Sequence, residues 1–162
     1  MSVNGKAGML AGVRVLDMTQ FEAGPSCTET LAWLGAEVVK IENPKGGDAG
    51  RFANTEKPGI DSFYFMQFNS GKKSLTCNLK TDEGVALVKK LVREANVFIE
   101  NFAPGVVKRM GLDYEALKKE NPNIIYASVK GFAEGSPYED FLSFDMIGPV
   151  SYTHLRAHET VS

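Results

Sequence analysis

Histidine is almost missing from this chain. Only two occur in 162 residues. His154 and His158 both lie in the closing stretch SYTHLRAHETVS, where an i, i+4 spacing would put two imidazoles on one helix face. Zinc needs a third ligand and ordered outer partners. The Glu that an H-E-x-x-H motif requires does not follow His154. No metal centre is expected, and no histidine can serve as a base anywhere before His154.

Other absences narrow the class further. The two cysteines are Cys27 and Cys77. Two lone thiols suit a reducing compartment better than a disulfide scaffold, so a cytoplasmic location is expected. Lysine and arginine total 18 against 20 acidic residues, a net charge of −2. No global basic field draws the chain to nucleic acid or to an anionic membrane surface. No apolar run approaches the ~20 residues of a membrane helix, and MSVNGKAGMLAG lacks the apolar core of a signal peptide. Neither nucleic acid nor membrane is expected as a partner.

The glycine signatures of nucleotide binding are absent too. The loop after the first apolar run has Gly24 alone, which excludes a standard G-x-G-x-x-G dinucleotide site. SGKKS (70–74) imitates a P-loop, but Met66 stands where the leading glycine belongs and Lys73 replaces Ser/Thr. The Lys72–Lys73 pair then reads as a solvated turn.

What is present alternates strand and helix. VRVLDM (13–18), EVVKIE (37–42), SLTCNL (74–79), NVFIENF (96–102) and NIIYASVKGF (123–132) read as strands. A first helix starts near Pro25, carries Cys27, Leu31 and Leu34 on one stripe, and ends near Gly35. Cys27 reads as a small core residue of that helix. Thr81 caps a second helix whose first turn holds Asp82 and Glu83, with Val85, Val88, Val92 and Ala95 at helical spacing. GVVKRMG forms a short helical piece, and Asp113 caps another. Residues 43–61 read as a long irregular loop, and Phe63, Tyr64, Phe65, Met66 and Phe68 as packing residues.

The alternation predicts an α/β fold, a Rossmann-like, largely parallel sheet with flanking helices. Ligands of such sheets sit beyond the carboxyl ends of the strands. Asp17, Asp48, Asp145 and Glu100 lie near those ends and read individually as caps or turn residues.

Taken in order, several segments resemble one family. LAGVRVLDMTQFEAGPSCTETLAWLGAEVVKIENPKGGD, NSGKKSLTCNLKTDEG, ANVFIENFAPGVVKRMGLDYEALKKENPNIIYASVKGF and GSPYEDFLSFDMI are similar to the N-terminal part of class III CoA-transferases, the group that includes formyl-CoA transferase and the carnitine CoA-transferases. The likeness runs from about Leu10 to Ile147. It implies a partial domain of such an enzyme over 1–148 and a non-native tail over 149–162. It also implies coenzyme A as part of an acyl-CoA substrate, a small carboxylic acid as second substrate, and an interlocked homodimer in the full-length parent.

The resemblance assigns CoA contacts to Glu22 and Ala23, to Cys77, Asn78, Leu79 and Lys80, to Asn101 and Phe102, and to Arg109. It assigns no catalytic residue here, because the family's nucleophilic aspartate falls beyond the matched segments. The chain alone is therefore expected to be inactive. There are departures: Asn43 stands where formyl-CoA transferases carry Arg, Glu22 replaces a Gln and Leu142 a Lys. Two alternatives stay open. One is an α-methylacyl-CoA racemase on the same fold, and the other is a non-catalytic CoA-binding module.

Overall fold

A computed structural model describes residues 8–53, 57 and 59–143. Its strands are β1 (Arg14–Met18), β2 (Glu37–Glu42), β3 (Lys73–Thr76), β4 (Val97–Glu100) and β5 (Ile125–Ser128). The helices are α1 (Ala23–Trp33), α2 (Phe63–Asn69), α3 (Asp82–Val92), α4 (Val106–Arg109) and α5 (Tyr114–Glu120). The five strands form one sheet in the order β3-β2-β1-β4-β5, with every neighbouring pair parallel. The fold is α/β, as the alternation predicts.

The order explains where a ligand can sit. The chain enters at the centre, winds outward from β1 to β3, then returns to the other side of β1 with β4. The connections leave β1 and β4 in opposite directions, so a crevice opens above their carboxyl ends.

Each face of the sheet has its own core. Leu16, Met18, Ile41 and Phe98 point to the side of α3 and α5, where Val88, Val92, Leu112 and Leu117 bury them. Val15, Val38 and Ile99 point the other way, towards Leu31 and Ala32 of α1. Because strand side chains alternate, Asp17 shares the α1 face with Val15, and Lys40 and Glu42 share it with Val38. That face turns from apolar to charged as the strands approach their carboxyl ends.

The helix caps follow the sequence. Thr81 accepts the Gly84 N–H, and Asp113 accepts the Ala116 N–H. Gly84 has a second reason to be glycine, since a Cβ there would collide with the Asn78 carbonyl.

Three expectations fail for reasons of packing. α1 buries Gly24, Pro25, Thr28 and Glu29; of the stripe through Cys27, Leu31 and Leu34, Leu31 alone packs against the core, half-buried. Its buried partners are the polar ends of the strands, so polar side chains face inward, and Cys27 is exposed rather than a core residue. The aromatic run is a helix, α2, capped by Ser62 at the Phe65 N–H, and Phe65 is its one buried residue. Lys72 is not solvated: its side chain is 2% exposed and ion-paired with Asp17 at 3.0 Å. Lys73 does face solvent, paired with Glu37. Asp145, His154, His158 and the whole 149–162 tail lie outside the described residues.

Candidate functional site

A cavity of about 460 Å³ opens at the carboxyl ends of the strands. That volume suits one arm of a large ligand, such as a nucleotide or a pantetheine chain. Thr19 and Gln20 reach it from β1, Asn43 and Lys45 follow β2, Cys77 to Lys80 follow β3, and Phe102 follows β4. Each segment lies immediately past a strand, because pairing ends there and the backbone is free to turn outward.

The cavity brings together five of the residues assigned to CoA from the sequence: Cys77, Asn78, Leu79, Lys80 and Phe102. Asn78 accepts the Lys80 N–H at 3.2 Å, a tight turn that presents the Lys80 side chain outward. Cys77 is buried and its thiol sits above the usual range because of that burial, so it lines the wall as an un-ionised group. The other four residues stand apart. Glu22 and Ala23 are exposed at the start of α1, and Arg109 is exposed in the last turn of α4. Asn101 lines a smaller neighbouring cleft of about 110 Å³, which Phe102 also borders.

A set of buried ions forms the base of the cavity, with Lys40, Glu42 and Asp48 lining it. Lys40 pairs with Asp48 at 2.8 Å and donates to the Thr19 carbonyl at 2.7 Å. Asp17, fully buried, accepts the Thr19 N–H and hydroxyl, the Thr28 hydroxyl and Lys72 Nζ. Burial alone would raise its pKa, but Lys40, Lys72 and the two hydroxyls outweigh it and hold Asp17 below the usual carboxylate range. Glu42 is gripped by Arg51 through two hydrogen bonds of 2.6 and 2.7 Å, and accepts from Ser74 and the Asp48 N–H. Burial again opposes, and the Arg51 grip prevails, so Glu42 falls to about 2. On the other side of β1, Glu100 accepts from Phe102 N–H, Ser128 and Lys130.

These ions are the residues that reading the sequence missed or treated as isolated caps. One signal was available. A lysine and a glutamate inside the apolar run EVVKIE, in a strand paired on both sides, must be partnered to be buried. Among the described residues, no group of three or more metal-type side chains converges, and no helix is long and apolar enough to cross a membrane.

The site is thus the carboxyl-end crevice of a doubly wound parallel sheet, with Lys45 and Lys80 exposed at its mouth and ion-paired carboxylates at its base. The comparisons give the family. The model of CoA-transferase family III matches residues 10–157, and this chain belongs to that family. A formyl-CoA:oxalate CoA-transferase of Streptomyces avermitilis is 47% identical over 138 residues, covering 85% of this chain and 33% of its own length. One from Escherichia coli is 45% identical over the same span. The chain thus spans about a third of the length of these curated relatives. Among solved structures, a CaiB/BaiF family protein from Brucella suis superposes with a TM-score of 0.84 at 39% identity, covering 90% of this chain and 39% of that one. A Mycobacterium tuberculosis protein gives 0.84 at 37%, covering 91% and 41%.

Proposed function

We propose that this chain is the coenzyme A cradle of a class III CoA-transferase, and that the parent protein moves CoA from an acyl-CoA to a small carboxylic acid. The observation that carries the reading is the cavity at the carboxyl ends, where Asn78, Leu79, Lys80 and Phe102 converge with Thr19, Gln20 and Lys45. Lys45 and Lys80 are exposed at its mouth, suited to the phosphates of CoA as point charges. Leu79, Phe102 and the un-ionised Cys77 supply apolar wall for the neutral pantetheine arm.

The proposed chemistry is covalent catalysis by an aspartate of the parent. Its carboxylate attacks the donor thioester and expels CoA thiolate, leaving a mixed anhydride. The thiolate then attacks the aspartyl carbonyl, releasing the donor acid and forming an aspartyl-CoA thioester. The acceptor carboxylate repeats both steps in reverse. The buried carboxylates of this chain do not fit the nucleophile's role, because Asp17, Glu42, Asp48 and Glu100 are each buried and held in ion pairs. The chain by itself therefore binds CoA without turning it over. Formyl and oxalyl groups, named in the relatives, are the first acyl groups to try on the parent.

Calorimetric titration of this chain with CoA tests the proposal. Saturable binding that weakens when Lys80 is changed to Ala is the expected result. The absence of heat and of thermal stabilisation at millimolar CoA would end it, and thioester exchange by the chain alone would overturn the assignment of the nucleophile.

A further inference from the structure

The loop from Thr19 to Glu22 is held in an unusual way. Phe21 has φ of 65°, the one left-handed non-glycine among the described residues, and the residue is 43% exposed. Such a conformation persists only where the surroundings over-determine it. Here they do. The Thr19 N–H bonds Asp17 at 2.8 Å, and its carbonyl accepts from Lys40 at 2.7 Å. The Phe21 N–H bonds Asp48 at 3.1 Å. Between them, Gln20 is taken at both backbone groups by one side chain: Asn101 Oδ1 accepts its N–H at 2.8 Å, and Asn101 Nδ2 donates to its carbonyl at 2.8 Å.

The loop after β4 is held by the same device. Phe102, two residues past the buried Glu100, gives its N–H to Glu100 at 2.8 Å and its carbonyl accepts from Lys130 at 2.6 Å. Thr19 stands two residues past the buried Asp17, with Lys40 in the place of Lys130. The two clamps flank the crevice between β1 and β4, and Asn101 is the side chain that ties one loop to the other. It does not line the larger cavity, whereas Thr19, Gln20 and Phe102 do. Its amide cannot flip without setting Nδ2 against the Gln20 N–H and Oδ1 against the carbonyl.

We propose that Asn101 is a positioning residue, which locks the strained Thr19–Glu22 loop to the β4 loop and so presents Gln20 and Phe102 to the ligand as one rigid lip. Its side chain acts through Gln20, whose N–H and carbonyl it bonds. The proposal rests on the cavity being the CoA site. Preorganisation of this kind raises affinity by removing the cost of ordering the loop at binding.

The test joins hydrogen exchange, read amide by amide, to CoA calorimetry on Asn101→Ala. Exchange at Gln20 should quicken by about tenfold or more while the central amides of β1 and β4 keep their protection. CoA affinity should fall by about tenfold. A fall in affinity with Gln20 protection intact would make Asn101 a direct contact and overturn the proposal. So would fast Gln20 exchange with unchanged affinity, or a uniform loss of protection across the sheet. Should Asn101→Ala fail to fold, Asn101→Asp keeps the acceptor for the Gln20 N–H, loses the donor and sets a carboxylate oxygen against the Gln20 carbonyl. It should leave Gln20 protected and weaken CoA binding less than tenfold, and affinity equal to the unaltered chain would contradict the lock. If the unaltered chain binds no CoA, the functional reading fails by itself, and Gln20 exchange still decides whether Asn101 locks the loop.

Discussion

The two ends of this sheet use ion pairs in opposite ways. At the amino ends, Arg14 of β1 pairs with Glu94 and Glu37, and Lys73 of β3 with Glu37, all with side chains about half exposed or more. At the carboxyl ends, Lys40–Asp48 and Lys72–Asp17 are almost wholly buried, and Arg51–Glu42 buries its carboxylate. Exposed pairs add little stability, because solvent screens the attraction and two long side chains must be ordered. Buried pairs carry a desolvation cost of several kcal/mol per ion that their attraction only offsets when the geometry is good. A fold seeking stability alone would fill the carboxyl-end positions with apolar residues. The difference teaches that the buried ions fix the shape of the loops around the crevice, and that the exposed ones merely solvate an edge.

The comparison can be broken at several places. Lys40→Met should have the largest effect, because it strands the Asp48 charge and leaves the Thr19 carbonyl without a donor. A loss of about 3–5 kcal/mol is expected in denaturant unfolding. A loss below ~1 kcal/mol would mean the pair is effectively solvated. Acid should act next, through Glu42. Its folded pKa is depressed to about 2, so its contribution is fully present above the unfolded carboxylate pKa. That contribution is lost as pH falls from about 4.5 towards 2. Discounted for solvent screening, the loss is on the order of 2 kcal/mol. Glu42→Gln should flatten the acid limb of the stability profile, and an unchanged limb would place the depression elsewhere. Arg14→Ala, at the other end, should cost no more than about 0.5 kcal/mol and the effect should vanish in high salt. A larger, salt-resistant cost would erase the contrast between the two ends.

Much of this was legible beforehand. β2 runs over Glu37–Glu42 as read from EVVKIE, and the caps at Thr81 and Asp113 are where their side chains demanded. Strands with near-continuous apolar runs and capped amphipathic helices carry their signal locally. The site was legible only in part. The segment Cys77–Lys80 and Phe102 came through resemblance, and the cavity gathers them. Glu22, Ala23 and Arg109 lie away from its walls. Lys72 looked solvated because its partners, Asp17, Pro25 and Asn69, include two from distant parts of the chain. Cys27 looked buried because its stripe with Leu31 and Leu34 was judged by hydropathy, while α1 docks on polar strand ends through Thr28 and Glu29. In both cases tertiary polar contacts overrode the pattern that local spacing suggested: an ion pair for Lys72, and hydrogen bonds of Thr28 and Glu29 for α1.

Amide chemical-shift mapping of this chain during a CoA titration tests the central claim most directly. The account predicts saturable shifts at Thr19, Gln20, Asn78 to Lys80 and Phe102, with Arg14, Lys73 and Glu94 unmoved. Shifts clustered at that amino edge, or none anywhere at millimolar CoA, would contradict it.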